Sequence, residues 1–278
     1  MKIYAFADEA SPLLDEQIIA CKNNGILGIE IRNVDNENIS DISFKKAAEI
    51  KKKLDDSGLI TWSIGSPIGK IDIVNDDFSK HIEKFKNTLE IAKILDCHNL
   101  RLFSFYIPKN DEPEKYKNTV IERLSAFSKL AKPYDITLCH ENEKGIFGDT
   151  PERCLEIHKA LPNIRCIFDP ANFVQCGVDT KKAWEILKNH VHYLHIKDAL
   201  SNGSVVPAGK GIGNLEYILD DFVKSGGDCV TLEPHLTIFD GLNNLEKSGM
   251  TSKVGEEYCY SSNIEAFKAA ADALKKLL

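Results

Sequence analysis

The chain has 278 residues, of which 43% are hydrophobic and 28% charged, with a formal net charge of −7. That length suits one domain with a full core and lies within the range of a single α/β barrel. The acidic balance argues against nucleic acid as a partner, because phosphate contacts need clustered Lys and Arg. With no apolar run of about 18 residues and no basic-then-apolar leader at Met1, neither a membrane span nor a secretion signal is expected. Eight cysteines occur without a CxxC pair. Cys139, Cys166 and Cys229 lie inside apolar runs, as thiols packed like small hydrophobes do, and the compartment reads as reducing and cytoplasmic.

Short β-prone runs alternate along the chain with longer stretches of helical spacing. Residues 2–7 form the first run and are followed by a helix over 13–24. Residues 27–32 lead to a helix over 42–57, and 60–64 to one over 78–95, where Ile82, Phe85, Leu89 and Ala92 keep to one face. The run 99–103 precedes a helix carrying Leu124, Phe127, Leu130 and Ala131. Runs at 136–141, 165–169, 192–197 and 229–233 then alternate with helices over 150–161, 180–190, 214–225 and 262–277. Thr150-Pro151-Glu152 places a capping hydroxyl before a proline at the first helical position. Gly25, Gly58, Gly226 and Gly227 fall where a left-handed residue ends a helix. Eight strands alternating with eight helices predict a (β/α)8 TIM barrel, an α/β fold of one domain, over 1–278. A doubly wound open sheet is the competing architecture. The one long loop, about 236–262, contains Phe239 and Leu242 and is of a length expected of a cover or an interface.

Glu141, Asp169, His195 and Glu233 sit at the ends of the fifth to eighth runs. Only a closed barrel brings the exits of four successive strands to one point, at the C-terminal face where such folds carry their sites. Three carboxylates and an imidazole form a ligand set for one divalent ion, Mn²⁺, Mg²⁺, Co²⁺ or Zn²⁺, with no thiolate needed. Glu141 and Glu233 come from strands that are not neighbours. Two carboxylates flanking the carbon beside a metal-bound carbonyl are the parts for proton abstraction and return through an enediolate. Strand alternation adds Lys197 and His235, two residues beyond His195 and Glu233, as substrate-facing groups, with Glu30 and Arg32 related in the same way on the second strand.

Each of these residues has a plainer reading. A single acid at a strand end is ordinarily a solvated loop residue or a cap, and Asp169 before Pro170 is placed to cap a helix. Glu30 and Arg32 are spaced to pair with each other. The stretch Ala208-Gly209-Lys210-Gly211-Ile212-Gly213 lacks the Lys-Ser/Thr ending of a Walker loop. It reads as a turn before a helix, with a phosphate cradle as the alternative. His81, His98 and His158 receive no role.

From the first strand to the eighth, the chain resembles the sugar phosphate isomerase/epimerase superfamily of xylose isomerase-like TIM barrels. The resemblance rests on Phe6-Ala7-Asp8-Glu9-Ala10, Gly28-Ile29-Glu30-Ile31-Arg32, Arg101-Leu102-Phe103-Ser104-Phe105, His140-Glu141-Asn142-Glu143, Phe168-Asp169-Pro170-Ala171-Asn172, Leu194-His195-Ile196-Lys197-Asp198 and Leu232-Glu233-Pro234-His235. It implies that the Glu, Asp, His, Glu set of the ketose 3-epimerases falls on Glu141, Asp169, His195 and Glu233, with both glutamates exchanging the substrate proton. One departure is Asn172, where those enzymes and the related endonucleases place a His. An amide hydrogen-bonds a hydroxyl but is a poor transition-metal ligand.

The expected activity is therefore a metal-dependent isomerase or epimerase acting on a keto sugar, sugar phosphate or polyol derivative. A dehydratase of the inosose type is the close variant. An apurinic endonuclease needs further histidines for three zinc ions, and Ile64-Gly65-Ser66 and Phe103-Ser104-Phe105 supply none. A non-catalytic sugar-binding barrel has no need of two glutamates across an ion. Phosphate recognition would draw on Lys197, Lys210, Arg32 or Arg101. Some relatives are oligomeric, so the resemblance leaves room for a homodimer or homotetramer.

Overall fold

The eight β-prone runs pair in chain order as parallel strands and close on themselves, as seen in a computed structural model that describes residues 1–237, 254, 257–258 and 260–278. The strands are β1 (Lys2–Ala5), β2 (Gly28–Ile31), β3 (Ile60–Ile64), β4 (Asn99–Leu102), β5 (Thr137–Glu141), β6 (Arg165–Phe168), β7 (Val191–Ile196) and β8 (Cys229–Leu232). Closure runs through β1 and β8, from Lys2 opposite Cys229 to Ala5 opposite Leu232. That ladder excludes the open sheet and establishes the TIM barrel. Most strands stop one or two residues short of the expected runs, so the chemistry-bearing residues stand at the strand exits.

Among the described residues the helices outside the barrel are α1 (Leu14–Asn23), α2 (Phe44–Ser57), α3 (Phe78–Ile94), α4 (Lys117–Ala131), α5 (Pro151–Ala160), α6 (Pro170–Gln175), α7 (Thr180–Leu187), α8 (Leu215–Lys224) and α9 (Asn263–Lys275). Thr150 caps α5 by accepting from Arg153 N, as its sequence predicts, and Gly58 ends α2 at φ 75°. The expected helix over 180–190 is divided, α7 passing into a 3₁₀ turn at Lys188–His190. Helix α6 was not expected, because six residues are too few to show a 3.6-residue period. The greater part of the predicted loop 236–262, with Phe239 and Leu242, lies outside the described residues. Among the described residues no helix is long and apolar enough to cross a membrane.

Two apolar layers hold the barrel. The larger lies between the strands and the helices, where strands buried on both faces read as continuous aliphatic runs. The smaller plugs the barrel itself and consists of Tyr4, Cys139, Ile167, Tyr193 and Cys229 with Trp62 against them. Tyr4 and Trp62 stack at 4.3 Å between ring centroids. Filling that end with apolar groups leaves the interior polar only toward the strand exits.

The loop after β3 is tied to α3 through a histidine that must be neutral. Gly69 N donates to His81 Nε2 at 2.8 Å. At φ 89°, with an added Cβ only 2.0 Å from Phe103 O, Gly69 admits no larger residue there. Burial, helped by Lys84, lowers the His81 pKa to about 4. An unfolded histidine titrates near 6.5, so the stability held by neutral His81 is complete above about pH 6.5. It is lost as pH falls toward 4, by on the order of 3 kcal/mol in full. Urea melts at about pH 7.5 and about pH 4.5 should show a smaller acid loss for His81→Gln than for the parent; equal losses would refute the assignment.

Candidate metal centre

Alternation along the strands lifts the four candidate ligands from the apolar plug into the layer above it. Cys139, Ile167 and Tyr193 point into the barrel, so Glu141, Asp169 and His195, two residues further on, do so as well. Glu233 stands in the same relation to Thr231, which pairs with His195 across β8 and β7. One ligand atom from each of Glu141, Asp169, His195 and Glu233 lies within 4.8 Å of all the others, and all four residues are buried. Such a group is able to hold one metal ion.

The imidazole of His195 is gripped on both sides. Its Nδ1 lies 3.0 Å from Glu141 Oε1 and 3.6 Å from Glu233 Oε2, while Nε2 lies 3.2 Å from Glu30 Oε2. Asp169 divides its carboxylate between two tasks. Oδ1 caps α6 by accepting from Asn172 N at 2.9 Å, whereas Oδ2 faces Lys197 Nζ at 3.1 Å and accepts no hydrogen bond. The Asp169 backbone is fastened by Asn142, whose Oδ1 accepts from Asp169 N and whose Nδ2 donates to Asp169 O, each at 2.9 Å.

Cations at the ends of β2, β4 and β7 balance the carboxylates. Arg101 donates from Nη1 to Glu141 Oε2 and from Nη2 to Gly65 O, both at 3.0 Å. Lys197 Nζ lies 3.0 Å from Glu233 Oε2. Arg32 reaches Asp8 Oδ2 and Oδ1 at 2.9 and 3.0 Å, Glu9 Oε1 at 3.0 Å and Glu233 Oε1 at 3.3 Å. The ring of Phe6 lies under both guanidinium groups, with Arg32 Cζ at 4.4 Å and Arg101 Cζ at 4.8 Å from its centroid. A cation over an aromatic face is favourable, the more so without solvent.

These surroundings govern the ionisation of the cluster. Burial opposes the charged imidazole of His195, but Glu141 and Glu30 outweigh it and raise the pKa to about 10. Burial raises Asp169 to about 7, against the pull of Lys197. Glu233 is also penalised by burial, yet Lys197, His235, His195 and Arg32 hold it well below the usual carboxylate range. Glu9, buried near Glu233 and Asp8, is raised to about 8 despite Arg32.

The remaining expected residues occupy distinct places. Lys197 lies in the ligand layer itself, with its ammonium against Asp169 and Glu233. His235 takes φ 46°, so strand alternation does not continue to it, and its Nδ1 lies 3.3 Å from Glu9 Oε1. Asn172 donates from Nδ2 to Glu141 Oε1 at 3.3 Å and to Asn142 O at 2.9 Å. Glu30 and Arg32 are fully buried, the first against His195 and the second against Asp8, Glu9 and Glu233. Glu9, Glu233 and His235 form a second group with metal-ligand spacing, and the Arg32 guanidinium already spans its two carboxylates. Sequence reasoning gave no role to Asp8, Glu9, Asn142 or Tyr193, and it left Arg101 unplaced. The signal for Arg101 was its position at the exit of β4.

Residues 18–277 match the xylose isomerase-like TIM barrel family, a span that includes the whole quartet. The chain belongs to that family. No curated protein matches the sequence. Among solved structures, this xylose isomerase-like barrel is similar to the IolI protein with a bound zinc atom, at 19% identity and a TM-score of 0.77, covering 100% of this chain and 98% of that one. It is also similar to D-psicose 3-epimerase with D-tagatose from Clostridium cellulolyticum H10, at 15% identity and a TM-score of 0.75, covering 100% and 98%. A third is the probable 3-DHS dehydratase AsbF from Bacillus anthracis, at 17% identity and a TM-score of 0.73, covering 99% of each chain. At these identities the likeness is one of fold.

In this xylose isomerase-like barrel the Gly-rich stretch of residues 208–213 is not an open phosphate cradle. Its donors are taken by the chain's own carboxylate. Asp198 Oδ1 accepts from Ala199 N and Gly213 N at 2.9 Å, and Oδ2 from Gly209 N at 3.0 Å and Gly211 N at 2.9 Å. A Cβ on Gly211 would lie 2.3 Å from Asp198 Oδ1, so the loop needs glycine to close on the carboxylate. Asp198→Ala should lower stability by on the order of 2–4 kcal/mol, since it strands several backbone donors. It should also speed tryptic cleavage at Lys210. A parent-like melting curve and digestion rate would show that the carboxylate does not hold the loop.

Proposed function

We propose that the protein is a divalent-metal-dependent isomerase or epimerase acting on a keto sugar, sugar phosphate or polyol derivative. The observation that carries this reading is the convergence of Glu141, Asp169, His195 and Glu233 within 4.8 Å at the barrel mouth. The donor set fits an ion. Asp169 Oδ2 is a buried oxygen that accepts no hydrogen bond, and His195 Nδ1 faces two of the carboxylates. Those four residues would hold the metal. Similar folds crystallised with zinc and with magnesium support a divalent ion without selecting one.

When bound, the ion supplies positive charge that polarises a substrate carbonyl and acidifies the neighbouring C–H. The rest is the work of the chain. Glu141 closes β5 and Glu233 follows β8, so their carboxylates approach the mouth from strands that are not neighbours. One removes a proton from the substrate carbon and the other returns it, a division that general acid–base catalysis supports at 10²–10⁴-fold, as an order of magnitude. Arg101 orients the Glu141 carboxylate, while Lys197 and Arg32 keep Glu233 ionised. Asn172, Lys197 and His235 are the groups proposed to meet the substrate's hydroxyls. Burial of the quartet excludes water from the proton path.

Deuterium exchange tests the reading directly. Metal-replete protein, given a panel of ketoses, their phosphates and inososes in D₂O, should wash deuterium into at least one substrate. Glu233→Gln should slow that exchange by on the order of 10²–10⁴-fold while retaining some ligand binding. Absence of exchange across the panel, or parent-like exchange in the variant, would remove the proposal. Loss of water from the product would instead assign the dehydratase variant of the same proton removal. Chelation should abolish exchange, and restoring the ion should recover it.

A further inference from the structure

We infer that Glu30 is a positioning residue for His195: its carboxylate takes the Nε2–H of the imidazole and thereby turns Nδ1 toward the ion site. The inference rests on the proposed metal centre and assigns a role to a residue that the sequence placed at the substrate. Glu30 lies on β2 and His195 on β7, strands on different sides of the barrel. Their side chains meet at 3.2 Å, and both are 0% exposed.

Glu30 is itself held at several points. Its Oε1 accepts from Tyr193 OH at 3.0 Å and from Ser63 Oγ at 3.3 Å, and those two hydroxyls lie 3.1 Å apart. The backbone is adapted to the same end. The register between β2 and β3 shifts between Ile29 and Glu30, pairing Ile29 with Thr61 and Glu30 with Ser63 and passing over Trp62. Bulges of this kind re-aim side chains next to functional sites. Here the shift sets Ser63 opposite Glu30.

Burying a carboxylate in a barrel core is costly unless it is paired. An aliphatic residue would fill the same place without that cost. What the carboxylate adds is a fixed imidazole. With its Nε2–H held by Glu30, the ring turns Nδ1 toward Glu141 and Glu233, where a bound ion would take the place of the Nδ1 proton. Metal-bound histidines commonly donate their other ring N–H in this way, and loss of such a partner weakens metal binding by about 10–100-fold.

Zn²⁺ titration of the full-length protein, followed by ¹⁵N NMR of the histidine rings, tests the assignment without reference to turnover. The parent should bind one ion and show a His195 ring with Nε2 protonated and Nδ1 shifted by the metal. Glu30→Gln, close in shape and uncharged, should weaken binding by about 10-fold, and Glu30→Ala by up to about 100-fold. Both should show faster solvent exchange of the Nε2–H. Tyr193→Phe leaves the carboxylate but removes one of its holders, and should weaken binding several-fold; it serves if the Glu30 variants do not fold. A parent that binds no ion would defeat the proposed metal centre and this inference with it. A parent that binds, with variants of equal affinity and an unchanged Nε2–H signal, would defeat the role of Glu30 alone.

Discussion

Three carboxylates crowded within 4.8 Å around an imidazole and cut off from solvent repel one another, and that repulsion dictates the rest of the mouth. Like charges at such range are costly in a low-dielectric interior, so opposite charges must be near. Each comes from a different strand exit: Arg32 after β2, Arg101 on β4 and Lys197 after β7. The aromatic ring of Phe6 then lies against both guanidinium groups. The mouth is a single electrostatic unit in which removing any member changes the balance for the others.

The barrel makes that unit possible by separating its interior along the axis. Below, Tyr4 stacks on Trp62 and Tyr193 meets Trp62 edge-on, filling the space with rings. Above, the same strands present charge. Tyr193 belongs to both regions: its ring packs in the plug while its hydroxyl touches Glu30. Through that contact the apolar plug bears on the imidazole above it.

Much of this architecture was legible in the sequence, because its signals are local. Continuous aliphatic runs marked strands buried on both faces, and helical periodicity marked the longer helices. The quartet was legible because each member sits at the end of such a run. Features that depend on closure were not. Asp8 and Glu9 occupy a 3₁₀ turn after β1, and Arg32 reaches them only in the folded barrel. Arg101 interrupts an aliphatic run, where an arginine ordinarily signals an outward face. The glycines of residues 208–213 announced a tight loop, but not that Asp198 would occupy its donors. His235 left the strand pattern because the chain turns to a positive φ there.

The divided carboxylate of Asp169 has a consequence for the number of bonds it can make. With Oδ1 committed to the first turn of α6 and the backbone clasped by Asn142, the side chain is not free to rotate both oxygens toward an ion. It could offer an ion only one oxygen, Oδ2. A metal at this centre would then receive one oxygen from Asp169, and any further coordination would fall to the glutamates or to the substrate. The helix that Asp169 starts and any ion that it would face draw on different atoms of one residue, so α6 does not depend on a metal for its cap.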